Sequence, residues 1–524
     1  MRILYGVPVY TMDSRRSVEE SVVIDDGVIR FTGNFEEACR LYPTAEKVDL
    51  QFGCVLPGFV DSHLHLKEYS LLFRELDLSE VTAKEELVEK LVKCAGNKKK
   101  NQWIVGAGAD FTLIHEITAK DLDATTPDNP VILYSRDLHT VIVNTRVLQI
   151  AQIDAGRANP LGGTIERDEK GFPTGILRER AVELVKKIVP PEKTRKIEEA
   201  LEAGMHRLIS NGITCFCDCS VYVPGSSITG IMKTWRKGKM KMRAVLMFGD
   251  RDALRLGNLG IPSQFGNDRV ILGGCKVVID GSLSSQTGYM SRPYAGKTST
   301  GMLLMNENEL YEVLKRSHSH YIWTAVHAIG DRANQIALNV YERLKKEVGI
   351  PSVIKRIEHA QTLQDEDVGR FASIGVIPVV NPIHLPMDRE KALKLLGPDA
   401  RLLYRFNSLL SSGATIAFGS DAPVARVNPL HGIYAAVERK DFSDGPHLRF
   451  FPKERISLED AVYAYTMGSA VSLGLEDRIG SLEAGKYADL VHISRDILNE
   501  GTESLQDAVV IQTIIGGETI FEKS

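Results

Sequence analysis

Two histidines separated by one residue in an apolar segment give the first indication of chemistry in this sequence. His63 and His65 end the segment LPGFVDSHLHL, whose Val, Phe and Leu content is typical of a buried strand. Residues i and i+2 of an extended strand point to the same side, so both imidazoles can reach one ion. Two surface histidines would have the same spacing, so their position in the fold has to decide between a metal site and an exposed pair.

Three further residues stand at the ends of similar segments. His327 closes TAVHA, His359 closes RIEH and Asp421 follows AFGS. Each alone has an ordinary explanation, either a buried histidine bonded to a backbone carbonyl or an aspartate that caps a helix. Four histidines and one carboxylate in equivalent positions predict a metal site instead. Nitrogen and oxygen ligands of this kind suit zinc, with iron, manganese and nickel as alternatives.

The elements that must position these residues are short segments rich in Val, Ile and Phe, separated by amphipathic segments. This alternation is typical of repeated βα units and predicts the α/β class. Eight such segments, the number that a (β/α)8 TIM barrel needs, begin at Cys54, Gly212, Met242, Arg269, Tyr321, Lys355, Gly375 and Ala414. Because barrel enzymes place their chemistry at the C-terminal ends of the strands, the predicted ligands fall where they are expected.

The remaining segments predict two additions to the barrel. About 150 residues follow Asp61 before the next strand, far more than one crossover helix uses. We therefore predict an inserted cap subdomain over about 66–190, covering the mouth of a barrel that spans 57–474. Residues 1–56 and 475–524 alternate apolar and polar positions, and we expect the two ends to form one small β-sandwich.

Together these motifs resemble the amidohydrolase superfamily, and in particular the branch that includes N-substituted formamide deformylases. The resemblance covers essentially the whole chain. Its motifs are LPGFVDSHLHL, NPLGGTIERDEKGFPTGILRE, KVVIDGSLSSQTGYMSRPY, HAIGDRA, RIEHAQ, GSDAPV and GSLEAGKYADLV. It implies a hydrolase that uses metal-activated water to cleave an amide-type C–N bond, such as that of a non-peptide amide, an N-formyl amine or an N-acyl amine.

The resemblance also implies roles for individual residues. His63 and His65 would hold the more buried ion together with Asp421, and His327 and His359 would hold a second ion. One or two divalent ions, with zinc favoured, are therefore expected. Asp421 would accept the proton of the attacking water and pass it to the leaving amine.

The number of ions depends on Lys276, on the fourth strand. A free lysine is cationic and cannot ligate, but its carbamate, formed with carbon dioxide, offers two oxygens that can bridge two ions. In the alternative, Lys276 stays free, pairs with Asp280 and leaves one metal. Asp280 shares the strand face of Lys276 and is itself a candidate ligand or substrate contact.

Two more histidines are candidates for substrate binding. His139, in SRDLHTVIVNT of the cap, either reaches down to the substrate or belongs to the core of the cap. His384, in NPIHLPMD after the seventh strand, faces the predicted mouth. The CxCxC run of the second strand, made of Cys215, Cys217 and Cys219, is predicted to be buried thiols, because structural zinc sites draw ligands from turns with CxxC spacing.

Composition limits the partners and the cellular location that we expect for this protein. The chain has 524 residues, 43% hydrophobic and 25% charged, with a net charge of −4, so neither nucleic acid nor an anionic membrane is expected as a partner. It contains no apolar run of about 18 residues and no signal-peptide pattern. Seven scattered cysteines favour reduced thiols in a cytoplasm. The expected partner is a small-molecule substrate, and a homo-oligomer is compatible with the sequence.

Two other functions fit the same motifs. The activated water of such a site can also attack an ester, a lactone or a phosphoester. A regulatory protein that keeps the barrel without turnover is the second alternative. The complete set of ligand residues favours an enzyme, since a protein without turnover has no need of them.

Overall fold

The computed structural model describes residues 1–72, 76–78, 81–135, 139–160, 163–190, 194–221, 227–347 and 353–523. The strands are β1 (Arg2–Tyr10), β2 (Val18–Asp25), β3 (Val28–Gly33), β4 (Glu46–Asp49), β5 (Cys54–Pro57), β6 (Phe59–Leu64), β7 (Leu76–Asp77), β8 (Ile104–Ala109), β9 (Val131–Ser135), β10 (Thr140–Val143), β11 (Gly163–Arg167), β12 (Pro173–Glu179), β13 (Ile213–Asp218), β14 (Arg243–Gly249), β15 (Val270–Val278), β16 (Thr324–Ala328), β17 (Lys355–His359), β18 (Ile377–Val380), β19 (Ala417–Phe418), β20 (Leu490–Ile493), β21 (Val510–Ile515) and β22 (Glu518–Glu522).

The helices lie between these strands in chain order. They are α1 (Phe35–Leu41), α2 (Leu66–Leu72), α3 (Lys84–Gly96), α4 (Phe111–His115), α5 (Ala119–Thr125), α6 (Thr145–Ile150), α7 (Val182–Lys186), α8 (Thr194–Ile209), α9 (Ser227–Arg236), α10 (Asp250–Asn258), α11 (Glu307–Ser319), α12 (Asp331–Glu347), α13 (Asp365–Ile374), α14 (His384–Leu396), α15 (Phe406–Ser411), α16 (Pro429–Glu438), α17 (Leu458–Tyr465), α18 (Met467–Leu473) and α19 (Ile497–Glu500). None of these helices is both long enough and apolar enough to cross a membrane.

Eight parallel strands form the barrel, in the order β6, β13, β14, β15, β16, β17, β18 and β19. Backbone hydrogen bonds join its two ends, from the Asp421 N–H to the His63 carbonyl (2.7 Å) and from the His65 N–H to the Ala422 carbonyl (2.8 Å). Parallel strands covered on both faces need continuous apolar runs, and β6 and β13 are buried along their whole lengths. The predicted barrel is confirmed.

The first predicted strand is in fact two strands that belong to different sheets. The run that begins at Cys54 forms β5 and then β6, and the chain passes from one to the other at Gly58. A Cβ atom on Gly58 would lie 2.3 Å from Cγ2 of Thr214, so the close approach of the backbone to β13 requires glycine here.

Strands from both ends of the chain form one sheet in the order β22, β21, β20, β5, β1, β2 and β3, with β4 paired to β1. The contact between the two ends is the antiparallel pair of β20 with β5, in which Leu490 lies opposite Pro57. The predicted association of the two termini is confirmed, whereas the boundaries 1–56 and 475–524 stay predictions.

The insertion between β6 and β13 has a sheet of its own, in the order β11, β12, β10, β9, β8 and β7. Its first helix, α2, packs closely against α8. A Cβ atom added to Gly204 of α8 would lie only 2.0 Å from Oγ of Ser70 of α2. The compact part of the cap among the described residues therefore runs from β7 to α7, and the range 66–190 stays a prediction.

Candidate metal centre

His63, His65 and Asp421 come together at the C-terminal ends of the first and last barrel strands. Oδ1 of Asp421 lies 3.5 Å from Nε2 of His63 and 3.2 Å from Nε2 of His65. One ligand atom of each residue lies within 4.8 Å of the others. Two side chains from a strand end and one from the loop across the barrel seam therefore converge.

A buried network of charges fixes His63 in this position. Its Nδ1 donates to Oε2 of Glu358 at 2.5 Å, which directs Nε2 towards Asp421. Glu358 in turn accepts from Nε of Arg356 at 2.8 Å, and both side chains are fully buried. Neither residue was identified from the sequence. The available signal was two charged residues in the short buried strand KRIEH.

His327 and His359 lie beside this group, at the ends of the neighbouring strands β16 and β17. Their ring centroids are 4.6 Å apart, and the His359 ring is 4.9 Å from that of His63. Nδ1 of His359 donates to Oδ1 of Asn381 at 2.7 Å, and Nε2 of His327 donates to the Gly281 carbonyl at 3.1 Å. Each imidazole thus keeps one nitrogen for a ligand.

Two of the candidate ligands, His359 and Asp421, have a backbone conformation that non-glycine residues rarely adopt. The φ angle is 71° at His359 and 56° at Asp421, both in the left-handed region. Such conformations concentrate at functional sites, where the surrounding structure holds them in place. His359 is the last residue of β17 and Asp421 comes three residues after the end of β19, so the turns there place both side chains at the mouth.

Lys276 and Asp280 lie at the end of β15 and have different surroundings. Lys276 is buried, and its Nζ lies 4.0 Å from Oε2 of Glu358. Asp280 accepts backbone hydrogen bonds from Tyr289 (2.8 Å), Ile329 (3.0 Å) and Gly330 (2.8 Å). Its carboxylate therefore organises the loops around the mouth, 3.7 Å from Nε2 of His327.

The candidate ligands line a cavity of about 850 Å³ that the barrel and the cap share. His139 and His384 also line it, and so do cap residues between Glu179 and Lys187. The His139 ring is 5.8 Å from that of His327, and Nε2 of His384 lies 3.8 Å from Oδ2 of Asp421. The predicted placement of the cap over the mouth agrees with this cavity. Leu138, beside His139, lies outside the described residues.

Burial and charge set the ionisation of the group. Burial lowers the pKa of His63 to about 4 and that of His327 and His359 well below the usual value, so these imidazoles are neutral at pH 7. Burial alone would raise the pKa of Asp421. The hydrogen bond from His65 and the adjacent imidazoles outweigh burial and hold that pKa well below its usual range. Neutral imidazoles and an ionised carboxylate are the forms that bind metal ions.

Cys215, Cys217 and Cys219 are buried, as predicted, and pack in an apolar cluster. Burial raises the pKa of the Cys219 thiol well above its usual value. Its Sγ also lies near His63 and Glu358, in a second group of atoms able to hold an ion. A raised thiol pKa disfavours the thiolate that metal binding needs.

With this geometry established, comparison with known proteins assigns the chain to a family. A profile of the amidohydrolase family matches residues 46–521. The chain belongs to the amidohydrolase family. The resemblance read from the sequence motifs is confirmed.

Known proteins resemble this amidohydrolase over at least 95% of its length. Protein LONG AFTER FAR-RED 3 of Arabidopsis thaliana is 32% identical over 98% of this chain and 90% of its own. The N-substituted formamide deformylase of Arthrobacter pascens is 26% identical over 100% of this chain and 98% of its own. The crystal structure of an uncharacterized metal-dependent hydrolase from Pyrococcus furiosus superposes with a TM-score of 0.75 at 30% identity, covering 95% of this chain and 99% of that one.

Proposed function

We propose that this amidohydrolase is a metal-dependent enzyme that hydrolyses an amide-type C–N bond in a small molecule. The observation that carries the proposal is the convergence of His63, His65 and Asp421 within 4.8 Å at the mouth of the barrel. The family assignment and its deformylase and metal-dependent hydrolase relatives support the same class of reaction.

The donor atoms fit one or two divalent ions, with zinc favoured. His63, His65 and Asp421 would hold the first ion, and His327 and His359 the second. Lys276 would bridge the two as a carbamate. Its place in the lining of the cavity that these histidines share supports this role. In the alternative, Lys276 stays an ammonium and leaves a single ion; its predicted partner there was Asp280, whereas the ion pair that the structure shows is with Glu358, at 4.0 Å.

When bound, a divalent ion lowers the pKa of a coordinated water and polarises the carbonyl under attack. The rest of the reaction depends on side chains of this chain. Asp421 is ionised and faces the cavity, so it can accept the proton of the attacking water. It can then donate that proton to the leaving nitrogen, which would otherwise depart as an unstable amide anion.

The cap and the helix after the seventh barrel strand would bind the substrate. His139 is held by Glu179, whose Oε2 lies 2.8 Å from Nδ1, and this pair faces the barrel histidines across the cavity. His384 lies beside Asp421 on the other side. A cavity of about 850 Å³ suits a small-molecule substrate. All seven cysteines are free, which supports the predicted cytoplasmic location.

Elemental analysis and a matched substrate screen test the proposal. Protein purified without chelators should contain at least one equivalent of a transition metal. It should release acid from N-formyl and N-acyl amines faster than from the corresponding esters and lactones. Less than about a tenth of an equivalent of metal after reloading would contradict the metal site. Faster turnover of the esters or lactones would contradict the amide specificity, and metal-loaded protein without any turnover would favour a regulatory protein.

A further inference from the structure

One carboxylate in the wall of the cavity has no part in the proposed chemistry. Asp388 lies on α14 one turn after His384, so the two side chains share a helix face, and both line the cavity. Asp388 is half-buried there. A carboxylate that faces a ligand cavity is costly to keep unless it has a partner, so its surroundings matter.

Two donors fix the orientation of this carboxylate. The Tyr404 hydroxyl donates to Oδ2 of Asp388, and Nε2 of Gln361 donates to the same oxygen at 2.8 Å. Gln361 also donates to the Tyr404 hydroxyl at 2.9 Å, which closes a small network. Because both hydrogen bonds among the described residues fall on Oδ2, Oδ1 is left for a ligand. The carboxylate is thus positioned before any ligand binds.

Two of the cations that follow Asp388 on α14 are paired with other carboxylates. Arg389 bonds to Asp444 at 2.6 Å, and Lys391 bonds to Asp110 of the cap at 3.2 Å. Tyr404 and Gln361 contribute hydrogen bonds but no positive charge. Lys391 and His384 act on Asp388 through space, and a cation bonded to Oδ1 would balance the charge of Asp388 directly.

Charged residues of both signs line the cavity. Asp388 follows β18, whereas the cavity-lining Arg251 follows β14, and three strands separate β14 from β18 on each side of the closed barrel. Asp250 and Asp252 flank Arg251 in that lining, and Glu183 lies between Arg180 and Lys187 of the cap in the chain. Opposite charges offset each other in those two groups, whereas a positively charged group beside His384 is attracted to Asp388.

We propose that Asp388 binds an ammonium group of the substrate. This inference rests on the proposed amide hydrolysis and narrows its substrate class to amides that carry a second, positively charged amino group. One helical turn, about 5–6 Å between side-chain origins, separates Asp388 from His384, which adjoins Asp421. The ammonium is therefore separated from the scissile bond by a short carbon chain.

Binding measurements test this assignment independently of turnover. The probes are the N-acetyl derivatives of propane- to hexane-diamine and the matching N-alkylacetamides, in which a methyl group replaces the ammonium. Titration calorimetry on metal-loaded Asp421→Asn protein avoids consumption of the probe. We expect at least one cationic probe to bind about 10-fold or more tightly than its neutral counterpart, as for a hydrogen bond between charged groups.

Adding Asp388→Asn should abolish that preference and change the affinity for the neutral probes by less than about 3-fold. Asparagine keeps an oxygen that accepts from Tyr404 and Gln361, so the network survives the loss of charge. The matched control is Asp250→Asn, which removes a carboxylate from the opposite wall and should leave the preference intact.

Three results would overturn the proposal. They are equal binding of both probe series, a preference that persists without the Asp388 charge, and an equal loss for both series in the Asp388 variant. Acetate release by the wild-type enzyme is measured separately. A preference for the cationic probes without any release would contradict the proposed hydrolysis and leave the ammonium site standing.

Discussion

Two histidine–glutamate pairs face each other across the cavity, and they differ in what holds the glutamate. In the barrel, His63 bonds to Glu358 at 2.5 Å, with side-chain exposures of 1% and 0%. In the cap, His139 bonds to Glu179 at 2.8 Å, with exposures of 24% and 3%. The first pair is closed off from solvent, whereas the histidine of the second remains accessible to a ligand.

The partners of the two glutamates explain the difference. Glu358 is bonded to Arg356 inside the same barrel strand. Burial raises its pKa, but Arg356 and Lys276 outweigh burial and hold the pKa well below its usual range. Glu179 instead accepts from the Thr287 hydroxyl, at 2.5 Å, on a loop of the barrel. The barrel pair is therefore held from within its own strand, whereas the cap pair is joined to the barrel through Thr287. The same chemistry positions a candidate metal ligand in one region and a candidate substrate contact in the other.

The largest expected effect lies on the barrel side. Asp421→Asn should fold normally and lose about 10²–10⁴-fold or more in kcat, the range of general acid–base groups, because the amide cannot accept the proton of water. The KM should change far less, since the lost interaction belongs to proton transfer. Steady-state kinetics and metal analysis of the same sample check this. A metal-replete variant with near-normal kcat would show that the assigned mechanism is wrong.

Lys276→Ala should lower kcat/KM by about 10²-fold and reduce occupancy of the second ion, because a bridging carbamate would be lost. Bicarbonate or short carboxylic acids should restore part of the activity by occupying the vacated space. Metal stoichiometry and rescue kinetics measure both effects. A crystal structure with two loaded ions beside an unmodified ammonium would contradict the bridge.

Glu358→Gln tests how far the glutamate of the barrel pair supports metal binding. The amide still accepts from Nδ1 of His63 but carries no charge to balance Arg356, so the imidazole becomes a weaker ligand. We expect metal affinity to fall by about 10–100-fold, as for other partners of metal-bound histidines. Competition with a chelator of known affinity measures the change. Unchanged metal affinity would remove Glu358 from the site.

The sequence identified the candidate ligands, which the structure brings together, but not the residues that hold them. His63 and His65 were identified because an HxH spacing is local, and His327, His359 and Asp421 because each ends an apolar segment. The bond between His63 and Glu358 joins residues 295 positions apart, and that between His139 and Glu179 joins residues 40 apart. No local pattern records such pairs, since the first forms only when the barrel closes and the second only when β10 and β12 pair in the cap sheet.

The barrel itself was predicted because its strands repeat one pattern, but the boundaries were harder to place. The run from Cys54 continues without a polar break from the terminal sheet into the barrel, and only the close approach at Gly58 separates the two strands. Asp388 was missed because nothing near it in the sequence marks it as part of a network. Its partners Gln361 and Tyr404 come from different segments of the chain.

The smallest expected effect tests the cap. Glu179→Gln should lower kcat/KM by about 10-fold, because the neutral amide holds His139 less firmly over the cavity. Metal content should stay at the wild-type level, since Glu179 bonds to His139 and Thr287 and neither of them is a candidate metal ligand. Thr287→Val is the matched control, because it removes the other partner of Glu179 and leaves the charge in place. It should cost less than Glu179→Gln. If metal content fell together with kcat/KM, the cap pair would belong to the metal centre, and the division of labour between the two pairs would be wrong.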